Sequence, residues 1–344
     1  MGKLPPILVR QLFILLLIVF AAILIFREMI PYLSGVLGGV TLYVLFRKWM
    51  TKLLEKGWNK NLAASLLMLA SFIGILLPIS GIVLLLGSKI SKAVNNSQKI
   101  IDIIKSQINK LEDSFGYDIS GQIDTGKITS WISTNIQNLA GGTFEAFIAI
   151  GIMYFILYYM LINRKELRDA LDAYIPIGHE NLQLIGKEST SMVRANAIGI
   201  PLVAICQGVI ALIGFLIFNV PDPFFWFAIT TIGSMIPFVG TLLGIVPVTI
   251  LLLAQDQTTQ AISILIYGLV VVGATDNLIR LYVLRRLDNV HPLITLIGVV
   301  VGVPLFGFIG LIFGPLLISL FLLILKIYKK EFGKKEPQQE IPKL

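Results

Sequence analysis

Six stretches of this chain are apolar, almost free of charge and long enough to cross a bilayer. They are Leu8–Phe26, Ile30–Phe46, Leu62–Gly87, Thr143–Ile162, Ala197–Phe218 and Ala261–Leu281. About 20 helical residues cover a hydrocarbon core of about 30 Å. Two further apolar stretches, Phe224–Leu253 and Leu293–Leu325, are too long for one crossing and carry Pro and Gly near their middles. Inside lipid every backbone N–H and C=O must find a partner within the protein, which only helices and closed barrels achieve. The runs do not alternate apolar with polar residues, as barrel strands must, so helices remain. The expected fold class is an all-α integral membrane protein with six ordinary transmembrane helices and two Pro/Gly-broken helical hairpins. Composition agrees: 56% of the residues are hydrophobic and only 14% charged, against about 25% charged in soluble domains.

Loop charge orients the runs. Arg47, Lys48, Lys52, Lys56 and Lys60 face a single acid, Glu55, between the second and third runs. Arg164, Lys165, Arg168, Lys187 and Arg194 make the loop after Thr143–Ile162 basic, and the tail after Leu325 is basic too. Asn219–Pro223 and Ala254–Gln260 hold no Lys or Arg. The positive-inside pattern therefore assigns the basic loops and both termini to the cytoplasm of a multi-pass cell-membrane protein. The net charge of +8 is then topology rather than a nucleic-acid footprint. The first run, behind Lys3 and Arg10, has no small-residue cleavage site after it; Arg27-Glu28 follows instead, so a retained span is expected over a signal peptide.

This orientation makes each long stretch leave and return on one side, from opposite faces of the membrane. Each is either re-entrant or a pair of short crossings. The expected breaks are Pro237-Phe238-Val239-Gly240 and Pro304-Leu305-Phe306-Gly307, which share Pro and Gly at one spacing. Gly/Pro-interrupted segments in opposed orientation point to a transporter's central site, although similar turn chemistry in two unrelated hairpins gives the same pattern. Residues 88–142 differ in kind. Ile90, Val94, Ile101, Ile104, Ile108, Leu111 and Phe115 form a heptad-like stripe. That stripe suits a helical hairpin covering its own apolar faces, or packing between copies. The chain divides into N-terminal spans (1–87), an extracytoplasmic amphipathic segment (88–142), a transmembrane core with both hairpins (143–326) and a basic tail (327–344).

Enzymatic motifs fail. Gly121–Lys127 imitates a phosphate-binding loop, but Ile128 stands where a Ser or Thr must hold magnesium. His179 and His291, the only histidines, have no second ligand at metal spacing, and no Gly-x-Ser-x-Gly occurs. No metal, cofactor or catalytic residue is expected. The lone Cys206 excludes a disulfide framework. Gly35/Gly39, Gly240/Gly244, Gly298/Gly302 and Gly310/Gly314 are spaced for close helix packing. Intramembrane charge is costly and usually paired or functional. Asp276 and Arg280, one helical turn apart, are either a structural ion pair or a gating and coupling pair. Thr230, Thr231, Ser234 and Thr241 either satisfy backbone groups freed by the first break or line a pathway.

Asp276-Asn277-Leu278-Ile279-Arg280, then Leu293 to Pro315 with Gly302, Pro304-Leu305-Phe306-Gly307, Gly310 and Gly314-Pro315, closely resembles the autoinducer-2 exporter family of bacterial and archaeal membrane proteins. Gln207-Gly208 and Ile236-Pro237-Phe238-Val239-Gly240 fit the same pattern. The similarity spans essentially the whole chain; Leu281 departs from the proline that members often carry after the arginine. The resemblance implies a transport protein, with members linked to export of the signal autoinducer-2 and others to sodium(lithium)/proton antiport. It also implies a homo-oligomer, a pentamer. The expected function is secondary transport by alternating access around Pro237–Gly240 and Pro304–Gly307. Gln207, Thr230 and Ser234 offer polar contacts to a small solute, and Asp276, Asn277 and Arg280 serve gating or cation coupling. A membrane scaffold assembled through residues 88–142, without transport, is the alternative of another class.

Overall fold

The computed structural model describes residues 6–77, 80–81, 143–175, 177–236, 240–275, 278–279 and 292–332, and every regular element among them is helical. Residues 88–142, with the heptad-like stripe and the imitation phosphate loop, lie outside the described residues, as does the tail beyond Phe332. Five helices are long and apolar enough to cross a membrane: Ile7–Glu55, Glu145–Ile162, His179–Ile217, Thr258–Thr275 and Leu293–Lys329. Shorter apolar helices occupy Lys60–Leu76, Pro223–Gly233 and Gly240–Ala254. The chain is an all-helical, multi-pass membrane protein.

The first two apolar runs do not separate. α1 (Pro6–Met29) and α2 (Leu33–Glu55) are joined by a single 3-10 turn, Ile30–Tyr32. Arg27 and Glu28 are good helix formers and carry the helix onward rather than breaking it. Pro31 sits at the start of the tightened turn, where its missing N–H costs little. At 1.5 Å per residue the 49-residue helix is about 74 Å long, more than twice a hydrocarbon core. The apolar side chains of α1 are exposed along its length.

α2 ends at Gly57 (φ +82°), where the amides of Gly57 and Trp58 bond back to the Leu54 and Leu53 carbonyls. Glycine enters this left-handed position without a Cβ clash. Asn59 then caps α3 (Lys60–Ser71), its side chain accepting from the Asn61 amide at 3.0 Å. α4 (Thr143–Ile162) runs parallel to α2, with Gly35 against Ala149 and Gly39 against Met153 and Ile156. α3 crosses antiparallel to both: Ser71 meets Tyr154 at 3.1 Å, and Ala63, Ala64, Leu67, Met50 and Leu161 share one buried cluster. The basic ends of α2 and α4 thus lie together. A short amphipathic helix, α5 (Arg164–Tyr174), follows α4 after Asn163, and α6 (His179–Ile217) is the long axis of the remaining bundle.

The two long apolar stretches each form an antiparallel helix pair. α7 (Pro223–Gly233) and α8 (Gly240–Ala254) meet where Gly233 faces Gly240 and Thr230 faces Gly244. α9 (Thr258–Tyr267) returns beside α8 and widens into a π-helical segment, Gly268–Val272. α10 (Pro292–Phe306) and α11 (Gly310–Phe332) are joined by a 3-10 turn, Gly307–Ile309. Gly298 lies on Gly314 and Pro315, and Gly302 on Gly310 and Gly314, so these backbones touch. The reversal falls at Gly307, whose φ is +61°. It falls within the expected break Pro304–Gly307, at its glycine: α10 continues through Pro304 to Phe306, because the turn needs a positive φ that glycine alone adopts cheaply. All four small-residue pairs read from the sequence sit at helix contacts.

A Cβ on Gly302 stands 2.5 Å from the Gly310 carbonyl oxygen and from the Gly314 Cα, backbone that cannot yield. Overpacking of this kind costs about 1–3 kcal/mol. Gly302→Val is expected to lower the melting temperature of the purified protein by several degrees. Gly151→Ala, at a helical glycine with nothing within 4 Å, should leave it unchanged or raise it. Melting followed by circular dichroism in detergent checks both signs, and equal melting of the two variants is incompatible with this packing.

Candidate functional site

α6 organises the centre of the bundle. Leu311, the Ile312 carbonyl, and then Phe313 and Leu316 of α11 pack successively against Ile200, Asn196 and Met192–Val193, so α11 runs down α6 toward the basic end. α7 comes from the other end, with Thr231 and Phe227 against Gly208 and then Met235 and Ile236 against Ile200. The leading end of the α7–α8 pair and that of the α10–α11 pair therefore meet, from opposite directions, in one cluster: Met235, Ile236, Ile200, Val299, Val303 and Leu311.

Polar groups gather just above this meeting point. Gln207 is 1% exposed, and neither its Oε1 nor its Nε2 has a hydrogen-bond partner among the described residues. Ser234 is 2% exposed, and its Oγ is likewise unpartnered, as is the buried Oγ1 of Thr231. The antiparallel register of α6 and α7 puts Ser234 at a level between Ile200 and Gly208, with its backbone against Gly240 of α8. Glycine at 208 is required there, since a Cβ collides with the Thr231 hydroxyl. Each unsatisfied buried group costs about 1–3 kcal/mol, so the three side chains carry a penalty that a bound partner would relieve. They supply two donors from the amide, one acceptor carbonyl, and two hydroxyls able to donate or accept. That set suits a small solute rich in hydroxyl groups.

The sequence-derived candidates divide accordingly. Gln207 lies on α6 next to Gly208, which meets Thr231 of α7, and Ser234 lies at the end of α7 with its backbone against Gly240 of α8. Thr230 is fully buried but turned to α8, where its hydroxyl donates to the Trp226 carbonyl at 2.7 Å; it seals that contact rather than facing α6. Gly240 begins α8 against Gly233. Pro304 and Gly307 are exposed at the end of the second pair. Pro237, Asp276, Asn277 and Arg280 lie outside the described residues. The π-helical segment Gly268–Val272 ends just before them, and such bulges commonly sit at functional positions.

Asn196 was not among the candidates. It is 4% exposed, and its Nδ2 donates to the Ile312 carbonyl at 3.2 Å. This carbonyl is next to that of Leu311, which Pro315 leaves without its helical donor. The apolar run on α6 starts at Ala197, one residue too late to include Asn196. A lone amide at the margin of a span was the available signal.

The model of a known family, AI-2E family transporter, matches residues 12–330. A relative from Mycobacterium tuberculosis (strain ATCC 25618 / H37Rv) is 25% identical over 324 residues, covering 88% of this chain and 82% of its own. One from Aquifex aeolicus (strain VF5) is 24% identical over 321 residues, covering 86% and 89%. YueF of Bacillus subtilis (strain 168) is 26% identical over 321 residues, covering 86% of each. The names of all three propose transport and specify no substrate. With a matching model across nearly its whole length and an all-helical membrane fold, this chain belongs to the AI-2E transporter family.

Proposed function

We propose that this protein is a secondary transporter of the cytoplasmic membrane that exports a small, polyhydroxylated solute of the autoinducer-2 kind past the meeting point of its two opposed helix pairs. The observation that carries this reading is the unpartnered, buried set Gln207, Thr231 and Ser234 beside that meeting point. Among the described residues the buried polar side chains are Thr41, Ser71, Asn196, Gln207, Thr230, Ser234, Thr249 and Thr295, all uncharged. A neutral solute exchanging hydrogen bonds with water for hydrogen bonds with such groups pays no ionic desolvation, which for a bare charge is several kcal/mol or more.

In this reading the basic ends of α2 and α4 face the cytoplasm. The α7–α8 pair enters from outside and the α10–α11 pair from inside, each re-entrant or as short crossings. Alternating access arises when the cluster of Ile200, Ile236 and Val303 parts on one side at a time. Packing of exposed α1 and residues 88–142 between copies gives a homo-oligomer, in line with the family resemblance. A sodium(lithium)/proton antiporter is the second reading, resting on Asp276 as the titrating carboxylate and Arg280 as its partner.

Reconstitution into proteoliposomes separates the two. Gln207→Leu removes the unpartnered amide while keeping its bulk; it is expected to raise the melting temperature by a few degrees and to cut solute flux at least tenfold. Unchanged flux in this variant ends the proposal. Asp276→Asn is expected to leave solute flux within about twofold, since a factor of two is under 0.5 kcal/mol. Abolition of pH-dependent sodium or lithium exchange by Asp276→Asn establishes the antiport reading instead.

A further inference from the structure

A groove lies away from the meeting point of the helix pairs, at the basic end of the bundle between α2, α4, α5 and the start of α6. Its volume is about 1240 Å³, above the roughly 300–1,000 Å³ of drug-sized sites and far larger than one phosphate ion needs. Arg47, Lys48, Lys60, Arg164, Lys165 and Arg168 line it, against the carboxylates Glu55, Glu166 and Asp172. Two of these arginines bond to hydroxyls: Arg164 donates to the Thr51 Oγ1 at 3.0 Å and Arg47 to the Thr190 Oγ1 at 3.4 Å, and neither is paired with a carboxylate among the described residues. Each guanidinium keeps further N–H groups for an anion, in the planar fork that suits phosphoryl oxygens.

α5 forms one edge of this groove and fixes its depth in the membrane. It begins one residue after α4, a helix of membrane-crossing length, has ended. Leu167, Leu171 and Ile175 recur at helical spacing along it and line the groove, while its other faces are charged. Leu171 is still 48% exposed and Tyr174 86% exposed. A short amphipathic helix with an aromatic end, leaving a crossing helix directly, lies in the bilayer interface. A groove edged by such a helix is suited to headgroup level, and its lining combines cations with apolar residues.

We propose that this groove binds the phosphoryl headgroup of an anionic phospholipid, with Arg47 and Arg164 on the phosphoryl oxygens and Leu167 and Leu171 against the upper acyl chain. Basic pockets between membrane helices at the cytoplasmic surface hold such headgroups. A lipid seated there ties α5 and the base of α6 to α2 and α4. It does not depend on which solute the protein carries.

The test uses the full-length protein in neutral detergent, with bound lipid counted by native mass spectrometry and melting followed on titration. Phosphatidylglycerol is expected to bind and to raise the melting temperature progressively, while phosphatidylcholine and inorganic phosphate leave it unchanged. Arg47→Gln/Arg164→Gln should lower phosphatidylglycerol occupancy at least tenfold. Lys48→Gln/Lys165→Gln alters only exposed side chains; it should retain the wild-type fold and bind severalfold more weakly. Lys326→Gln/Lys329→Gln, on exposed positions of α11, should bind as wild type does. Equal stabilisation by phosphatidylcholine overturns the proposal, as does full stabilisation by inorganic phosphate, which marks a soluble-anion site. Undiminished occupancy in both groove variants, or equal loss in the α11 variant, also overturns it.

Discussion

The fold depends on backbones that touch. Where α10 turns into α11, Gly298, Gly302, Gly310 and Gly314 bring two helices so close that no side chain fits between them. In an apolar medium no hydrophobic gain drives one helix against another, so van der Waals contact and backbone polarity must supply the attraction. A chain reversing inside that medium also frees carbonyl and amide groups that lipid cannot satisfy. Tight glycine contact answers both demands, since it shields the freed groups while maximising dispersion. The α7–α8 pair repeats the arrangement at Gly233, Gly240 and Gly244.

Such interfaces are smooth as well as close. The leading end of each pair packs against what it meets. For both pairs that is the stretch of α6 around Ile200. Pro201 lies there inside α6, and Asn196 sits about one turn earlier, holding the Ile312 carbonyl. A proline-weakened point on the axis and a single long-range amide bond thus mark the level where the opposed pairs press together. In the proposed alternating access, bending of α6 at that level would shift both pairs at once.

Much of this was legible because lipid imposes simple rules. The apolar runs place most of the helices, and glycine spacing locates their contacts. The continuous α1–α2 helix was not legible: a charged pair between apolar runs reads as a loop, yet Arg27 and Glu28 favour helix and nothing nearby forces a turn. Within the expected break Pro304–Gly307, the choice of Gly307 for the reversal follows from φ, which spacing does not encode. Of the candidate site, Gln207 and Ser234 stood out as polar residues in apolar runs, but Thr230 did too and faces elsewhere. Which side of a helix a hydroxyl takes depends on its neighbours, and only packing fixes them.

The separation of polar chemistry in the bundle has its own logic. Among the described residues its buried polar side chains are neutral amides and hydroxyls, whereas guanidinium and ammonium groups line the basic groove. A unit charge at the level of Ile200 faces a desolvation penalty that three neutral partners do not offset. The same charge at the rim keeps access to water and to the anionic leaflet, where each Lys or Arg gains about 1 kcal/mol. In the proposed mechanism, neutral groups between the helix pairs let them part and rejoin without carrying charge across the bilayer. The cations at the rim hold the protein's orientation and depth while they do so.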